Sequence, residues 1–333
     1  MPRLFFRWEE YFSKRDTNRK VRGFEWGMEF VPNGMPAKDP KTYLLEYARK
    51  AIAESDDYHS YQPVSDWRLD GDRLTFSTPL PTIYPKNNTV HGRYFPVNSA
   101  GRVVLVLPQW NCDAQSHMSL CRMLNCFGLS ALRLSLPYHD LRMPEELERA
   151  DYMISPNLGR TLQAIRQAVI DSRAALDWLE TQGYSKFAIL GTSVGSCVAL
   201  IANAHDPRLR LSVQNHISTY FADVVWKGIS TRHIRAGLNG NIELDELRDI
   251  WMPISPKAYF KKLVGTGKHT LLVHALYDHS FPPDLSMDVL QDFRELRLPH
   301  STFALRCGHY TSGVFPFNIV LGYAMCRYIR KNL

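Results

Sequence analysis

A serine hydroxyl becomes an effective nucleophile only when a base takes its proton and a carboxylate holds that base in the right tautomer. Residues of all three types stand at telling places in this 333-residue chain. Ser193 is the centre of Gly191-Thr192-Ser193-Val194-Gly195, between the apolar run Phe187–Leu190 and a helical pattern from Val194 to Ala204. A serine at the apex of a strand-to-helix turn is forced into strained backbone geometry, and flanking glycines let the chain pass without a Cβ clash. Its hydroxyl then stands clear of the sheet, near the positive end of the following helix.

Asp278 follows the apolar run Thr270–Ala275, inside the turn-like Tyr277-Asp278-His279-Ser280-Phe281-Pro282-Pro283. His309 follows Thr302–Leu305, in Arg306-Cys307-Gly308-His309-Tyr310. Parallel strands end on one edge of a sheet, so residues just past them share the edge that carries Ser193. The chain order serine, aspartate, histidine suits a strand-to-helix nucleophile. Asp223 and Asp284 are weaker substitutes for the carboxylate. Of the 12 histidines, only His309 follows the last strand pattern. His274 lies inside a strand, and His117, His216 and His233 carry no positional argument.

The elements that must position these residues are legible from about Gly101 onward. Short apolar runs alternate with longer helical patterns, which is the signature of a mostly parallel sheet with crossover helices. Strands are expected at Arg102–Leu107, Leu129–Leu136, Phe187–Leu190, Leu209–Val213, His269–Ala275 and Ser301–Leu305. Helices are expected at Ser116–Phe127, Leu158–Gln182, Val194–Ala204 and Val314–Arg330. In the second of these, apolar residues at alternating three- and four-residue steps form one buried stripe. The first hundred residues differ. They hold one helical patch, Lys41–Glu54, and an Asp70-Gly71 turn that joins Asp66–Leu69 to Arg73–Ser77 as an antiparallel hairpin. The expected division is an N-terminal extension over 1–65 and one α/β domain over 66–333. A helical insertion over 214–264, rich in aromatics, is placed to act as a lid over the carboxyl edge.

Composition sets the outer limits. Hydrophobic residues make up 45% and charged residues 22%, ordinary values for a chain with a sizeable core. The net charge of +7 is spread along the chain. Its one basic cluster, Lys14, Arg15, Arg19, Lys20 and Arg22, lacks aromatic interleaving and reads as a solvated segment. Nucleic acid is therefore not an expected partner. None of the six cysteines falls in a C-x-x-C pair. No run approaches the roughly 18 apolar residues of a membrane span, and the start, Met1–Glu10, has no leader-like apolar core. A cytoplasmic location is the simplest expectation.

From about Asp66 to Leu333, the chain resembles the α/β-hydrolase superfamily, most specifically at Gly191–Gly195 and then at the Asp278 and His309 turns. The resemblance implies an α/β-hydrolase fold and an oxyanion hole. One donor would be the backbone N–H of Val194. The other would come from the loop after Val103–Leu107, where Pro108 has no N–H and Gln109 or Trp110 is the candidate. The sequence lacks the common His-Gly start of that loop. Tyr138, His139, Trp226 and Trp251 are candidate pocket walls, although aromatic residues are core by default. The expected activity is serine hydrolysis of a carboxylic ester, thioester or amide on a small-molecule acyl substrate, with no metal or organic cofactor. An acyltransferase using the same three residues, and a non-catalytic binding protein, are the alternatives. Substrate identity and oligomeric state are not legible.

Overall fold

The computed structural model describes residues 2–35 and 38–333. Among them, nine strands form one sheet, ordered β1-β2-β3-β5-β4-β6-β7-β8-β9. The strands are β1 Arg68–Asp70, β2 Arg73–Ser77, β3 Thr89–Phe95, β4 Arg102–Leu107 and β5 Ser130–Leu134. They continue as β6 Lys186–Thr192, β7 Leu209–Asn215, β8 His269–Ala275 and β9 His300–Leu305. From β5 across to β9 every pairing is parallel. β1, β2 and β3 form an antiparallel edge, and β3 joins it to β5. The hairpin turns at Asp70-Gly71, where Gly71 has a φ of 59° that a side chain would strain.

The helices are α1 Pro2–Lys14, α2 Pro40–Ala53, α3 Ser55–Tyr58, α4 Met118–Cys126, α5 Leu158–Thr181 and α6 Val194–His205. They continue as α7 Phe221–Lys227, α8 Arg232–Leu238, α9 Leu244–Ile250, α10 Pro283–Glu295 and α11 Phe317–Asn332. Alternation along β4 shows how they cover the sheet. Val103, Leu105 and Leu107 pack with Leu162, Ile165 and Val169 of α5 and Val198 of α6. Val104 and Val106 pack on the other face with Leu124 of α4 and Leu321, Met325 and Ile329 of α11. Both faces of β4 are therefore covered, which explains its unbroken apolar run Val103–Leu107. The Asp39 side chain caps α2 by accepting from the Thr42 N–H, and Asn157 caps α5 by accepting from Arg160.

The expected helices and parallel strands are present with ends shifted by a few residues. Besides the four-residue α3, three elements were not foreseen. β3 carries Gly92 and polar residues at alternate positions, so it lacks the apolar run that marks its neighbours. α10 begins Pro283-Asp284, which reads equally as a turn. α1 falls in the supposed N-terminal extension. No described helix is long and apolar enough to cross a membrane.

The antiparallel edge is tied to the core by charge as well as packing. Arg142 is fully buried; its guanidinium donates to the carbonyls of Asn87 and Ser135 and lies 2.8 Å from the Asp171 carboxylate on α5. Asp171 in turn accepts from the Thr78 hydroxyl. Removing one partner of such a pair leaves an uncompensated buried charge. Arg142→Met should therefore cost about 3–5 kcal/mol in equilibrium urea unfolding, and a loss below about 1 kcal/mol would show the pair to be dispensable.

Candidate active site

The turn at the end of β6 is shaped by what surrounds it. Ser193 adopts φ 57°, ψ −120°, a costly conformation for a residue with a side chain. A Cβ on Gly191 would collide with the backbone of Gly195, and one on Gly195 would come within 2.5 Å of the carbonyl oxygens of Leu107 and Pro108. The two glycines are thus the condition for α6 to start against the end of β4. Hydrogen bonds hold the strained residue in place: the Ser193 N–H donates to Asn215 at 2.7 Å, and its carbonyl accepts from the Ser196 N–H and hydroxyl.

Beyond β8, Asp278 is buried, and its Oδ1 accepts from the backbone N–H groups of Ser280 and Phe281 at 2.7 and 2.6 Å. Its Oδ2 lies 3.0 Å from His309 Nδ1. His216, just past β7, brings its own Nδ1 to 2.9 Å from the same oxygen, too poorly aligned for a good hydrogen bond. Burial alone would raise the Asp278 pKa, but His309 and His216 outweigh it and hold the carboxyl well below its usual range. For His309, burial disfavours the cation, yet the charge and hydrogen bond of Asp278, with a further contribution from Glu9, push its pKa above the ordinary value. The His216 pKa is lowered, chiefly by burial and then by His309. Phe281 stacks on the His309 ring at 5.4 Å and limits its rotation.

His216, Asp278 and His309 form the one trio of His, Cys or acidic side chains among the described residues close enough to hold a metal ion. One Asp278 oxygen is taken by two backbone donors and the other faces both imidazoles, an arrangement suited to orienting a base. Ser193, His309, Gln109 and Trp110 line one cavity of about 630 Å³. Among the described residues, no hydrogen bond directly joins Ser193 Oγ to His309.

Solved structures of similar architecture carry enzymatic descriptions. An acetyl xylan esterase from Paenibacillus sp. R4 matches at 16% identity and TM-score 0.60, over 92% of this chain and 98% of that one. Acetyl xylan esterase 1 from Thermoanaerobacterium sp. JW/SL YS485 matches at 13% identity and TM-score 0.59, over 85% and 93%. The fold is that of the α/β-hydrolases. Pyrococcus horikoshii acylaminoacyl peptidase shares it at 12% identity and TM-score 0.58, over 82% of this chain, which spans only 42% of the peptidase. No protein-family model and no curated protein sequence matches the chain.

Within this α/β-hydrolase fold, the residues singled out from sequence divide clearly. Ser193, Asp278 and His309 come together at the ends of β6, β8 and β9, and Val194 lies at the start of α6. Asp223 is bound by Arg248 and Asp284 by Lys227, so neither serves the histidine. In the loop after β4 the Asn111 N–H is taken by His139 Nε2 at 2.8 Å, and Gln109 and Trp110 line the cavity beside Ser193. Of the four proposed pocket walls, none lines the cavity. Tyr138 is buried against Tyr84 and Tyr152. Trp251 is buried in the core, donating to the Leu158 carbonyl. Trp226 packs beside the core under Arg235. His139 props the loop after β4 from behind, and burial lowers its pKa to about 4.

Other residues went unrecognised. His117 lines the cavity, contacts the Thr192 hydroxyl at 3.1 Å, and is lowered to about 4 by burial. His216 carried a usable signal, since it follows a strand as Asp278 and His309 do. Glu9 carried none. This residue of α1 is fully buried, and its carboxylate accepts from the backbone N–H groups of Tyr310 and Thr311 at 3.1 and 3.0 Å and from the Thr311 hydroxyl. Burial raises its pKa against those hydrogen bonds. A Cβ at Gly308 would displace the Glu9 carboxylate from these partners. The basic cluster also departs from a simple solvated segment. Lys14, Arg15 and Lys20 are exposed, but Arg19 donates to Ser13 and to the Tyr310 hydroxyl, and Arg22 to Asp151. Glu9→Ala should strand the two amides and lower unfolding free energy by about 1–3 kcal/mol, read from denaturant melts. A wild-type midpoint in the variant would contradict it.

Proposed function

We propose that the protein is a serine hydrolase that cleaves a carboxylic ester through an acyl-enzyme on Ser193. The observation that carries this reading is the Asp278–His309 pair at 3.0 Å beside the strained Ser193 turn, with serine and histidine lining one cavity. The esterase and peptidase descriptions of the structural neighbours agree with it. In this reading Ser193 Oγ attacks the carbonyl carbon while His309 Nε2 takes its proton. Asp278 stays ionised and stabilises the imidazolium. The N–H of Val194 and that of Gln109 or Trp110 hold the oxyanion, and one such donor is worth about 3–4 kcal/mol in the transition state.

His309 then gives its proton to the leaving oxygen as the carbon–oxygen bond breaks. A water molecule attacks the acyl-enzyme, passing its proton to His309. Collapse of the second tetrahedral species returns that proton to Ser193 and releases the acid. Glu9 serves as a positioning residue, fixing the loop that carries the base and adding negative charge near it.

Labelling with a fluorophosphonate tests the nucleophile: wild type should react, and Ser193→Ala should not. Equal labelling of the two would sink the proposal. Asp278→Asn should lower kcat by about 10⁴-fold through the wrong histidine tautomer. The pH dependence follows from the neutral imidazole being the active form. Since His309 is raised above its ordinary value, kcat/KM should fall on the acid side with an apparent pKa above about 6.5. Glu9→Gln removes a charge that favours the imidazolium, so its acid limb should move to lower pH. An unshifted limb would reduce Glu9 to a purely structural part.

A further inference from the structure

Two chambers of different polarity meet at Ser193. The larger, about 630 Å³, is mixed: His309, Gln109, His117 and the charged Arg15, Asp16, Arg19 and Arg149 line it together with an apolar wall that includes Leu120, Met123 and Met325. The smaller, about 40 Å³, is walled by Ile154, Val194, Cys197, Phe221, Val224 and Val225. Trp110, Ser193 and Ser230 border both. We infer that the enzyme acts on short-chain acyl esters of a bulky, hydrogen-bonding alcohol, with the acyl group in the small apolar chamber and the alcohol in the larger, more polar one. This rests on the hydrolase reading above and names the substrate class for it.

The direction follows from the proton. The leaving oxygen has to take a proton from His309, and His309 lines only the larger chamber. The alcohol therefore departs on that side. The remaining substituent of the carbonyl carbon points the other way, past Val194 into the apolar chamber. No other assignment lets the base that deprotonates Ser193 also protonate the leaving group.

The size follows from the walls. One water occupies about 10–15 Å³ on the same scale, so the small chamber admits about three non-hydrogen atoms. That accommodates acetyl to butyryl and excludes longer chains. The walls are braced against expansion. Phe221 packs edge-on against buried Trp251 at 5.6 Å, and its N–H donates to Ser255. The Cys197 thiol donates to the Ile254 carbonyl at 3.0 Å, and Val225 is buried. On the other side, Arg15 makes no ion pair among the described residues, while Arg19 and Arg149 are held on Asp16. That chamber suits a partner with many hydrogen-bonding groups.

The test is a series of nitrophenyl esters from acetate to octanoate, with fluorophosphonate labelling of Ser193 in parallel. Wild type should favour acetate to butyrate over octanoate by about 100-fold or more in kcat/KM. Phe221→Ala and Val225→Ala should each raise the octanoate-to-acetate ratio by about tenfold or more. Near-ultraviolet circular dichroism reports folding, and the smaller Val225 change serves if Phe221→Ala does not fold. A monoacetylated glucose should also be cleaved faster than cyclohexyl acetate, which has a ring of the same size without hydroxyls. A labelled wild type that cleaves octanoate as well as acetate, or a ratio unmoved in folded variants, overturns the acyl assignment alone. Equal rates on the two acetates overturn the alcohol assignment. Absence of labelling together with absence of ester cleavage overturns the hydrolase reading itself.

Discussion

The closeness of α6 to the end of β4 is the constraint from which the site follows. At Gly195 there is no room for a side chain, because the carbonyl oxygens of Leu107 and Pro108 stand where its Cβ would be. That approach brings the loop carrying Gln109 and Trp110 beside the first residues of α6. It also requires the tight turn that leaves Ser193 at positive φ. Such strain persists only when the surroundings over-determine it. Here the surroundings are the parallel strands on either side, β4 and β7, and the backbone bond from Ser193 to Asn215.

Parallel strand order then does the rest of the assembly. Because β6, β7, β8 and β9 lie side by side and run the same way, the residues just past their ends form a row: Ser193, His216, Asp278 and His309. Within that row each side chain is set by local chemistry. Asp278 is fixed by two backbone donors from its own turn. His309 is fixed by Asp278, by the Phe281 ring and, through its loop, by Glu9. Most of this apparatus is buried polar surface whose hydrogen-bonding needs are met from within.

How much of this was legible depended on whether a signal is local. A glycine-bracketed serine between a strand and a helix is a local pattern, and so is a charged residue just past an apolar run. The placement of Ser193, Asp278 and His309 just past neighbouring strands could therefore be read directly, as could the parallel sheet. Aromatic residues proved ambiguous because a pocket wall and a core side chain want the same surface; Tyr138 and Trp251 turned out to be core. Glu9 was invisible, and His139 was misplaced as a pocket wall, for another reason. Each acts through partners distant in the chain, and a glutamate in a charged helix carries no mark of the amides it will meet. Arg19 was misjudged in the same way, since nothing near it in sequence announces Tyr310.

The Glu9 contact also has a bearing on time. Its partners lie 301 and 302 residues further along the chain. At synthesis rates of about 5–20 residues per second, about 15–60 s separate the making of the helix from the making of the loop that it holds. The sheet, the strained serine and the carboxylate turn can all be laid down in that interval. The histidine loop, made after all nine strands, is thus held by a helix made before any of them.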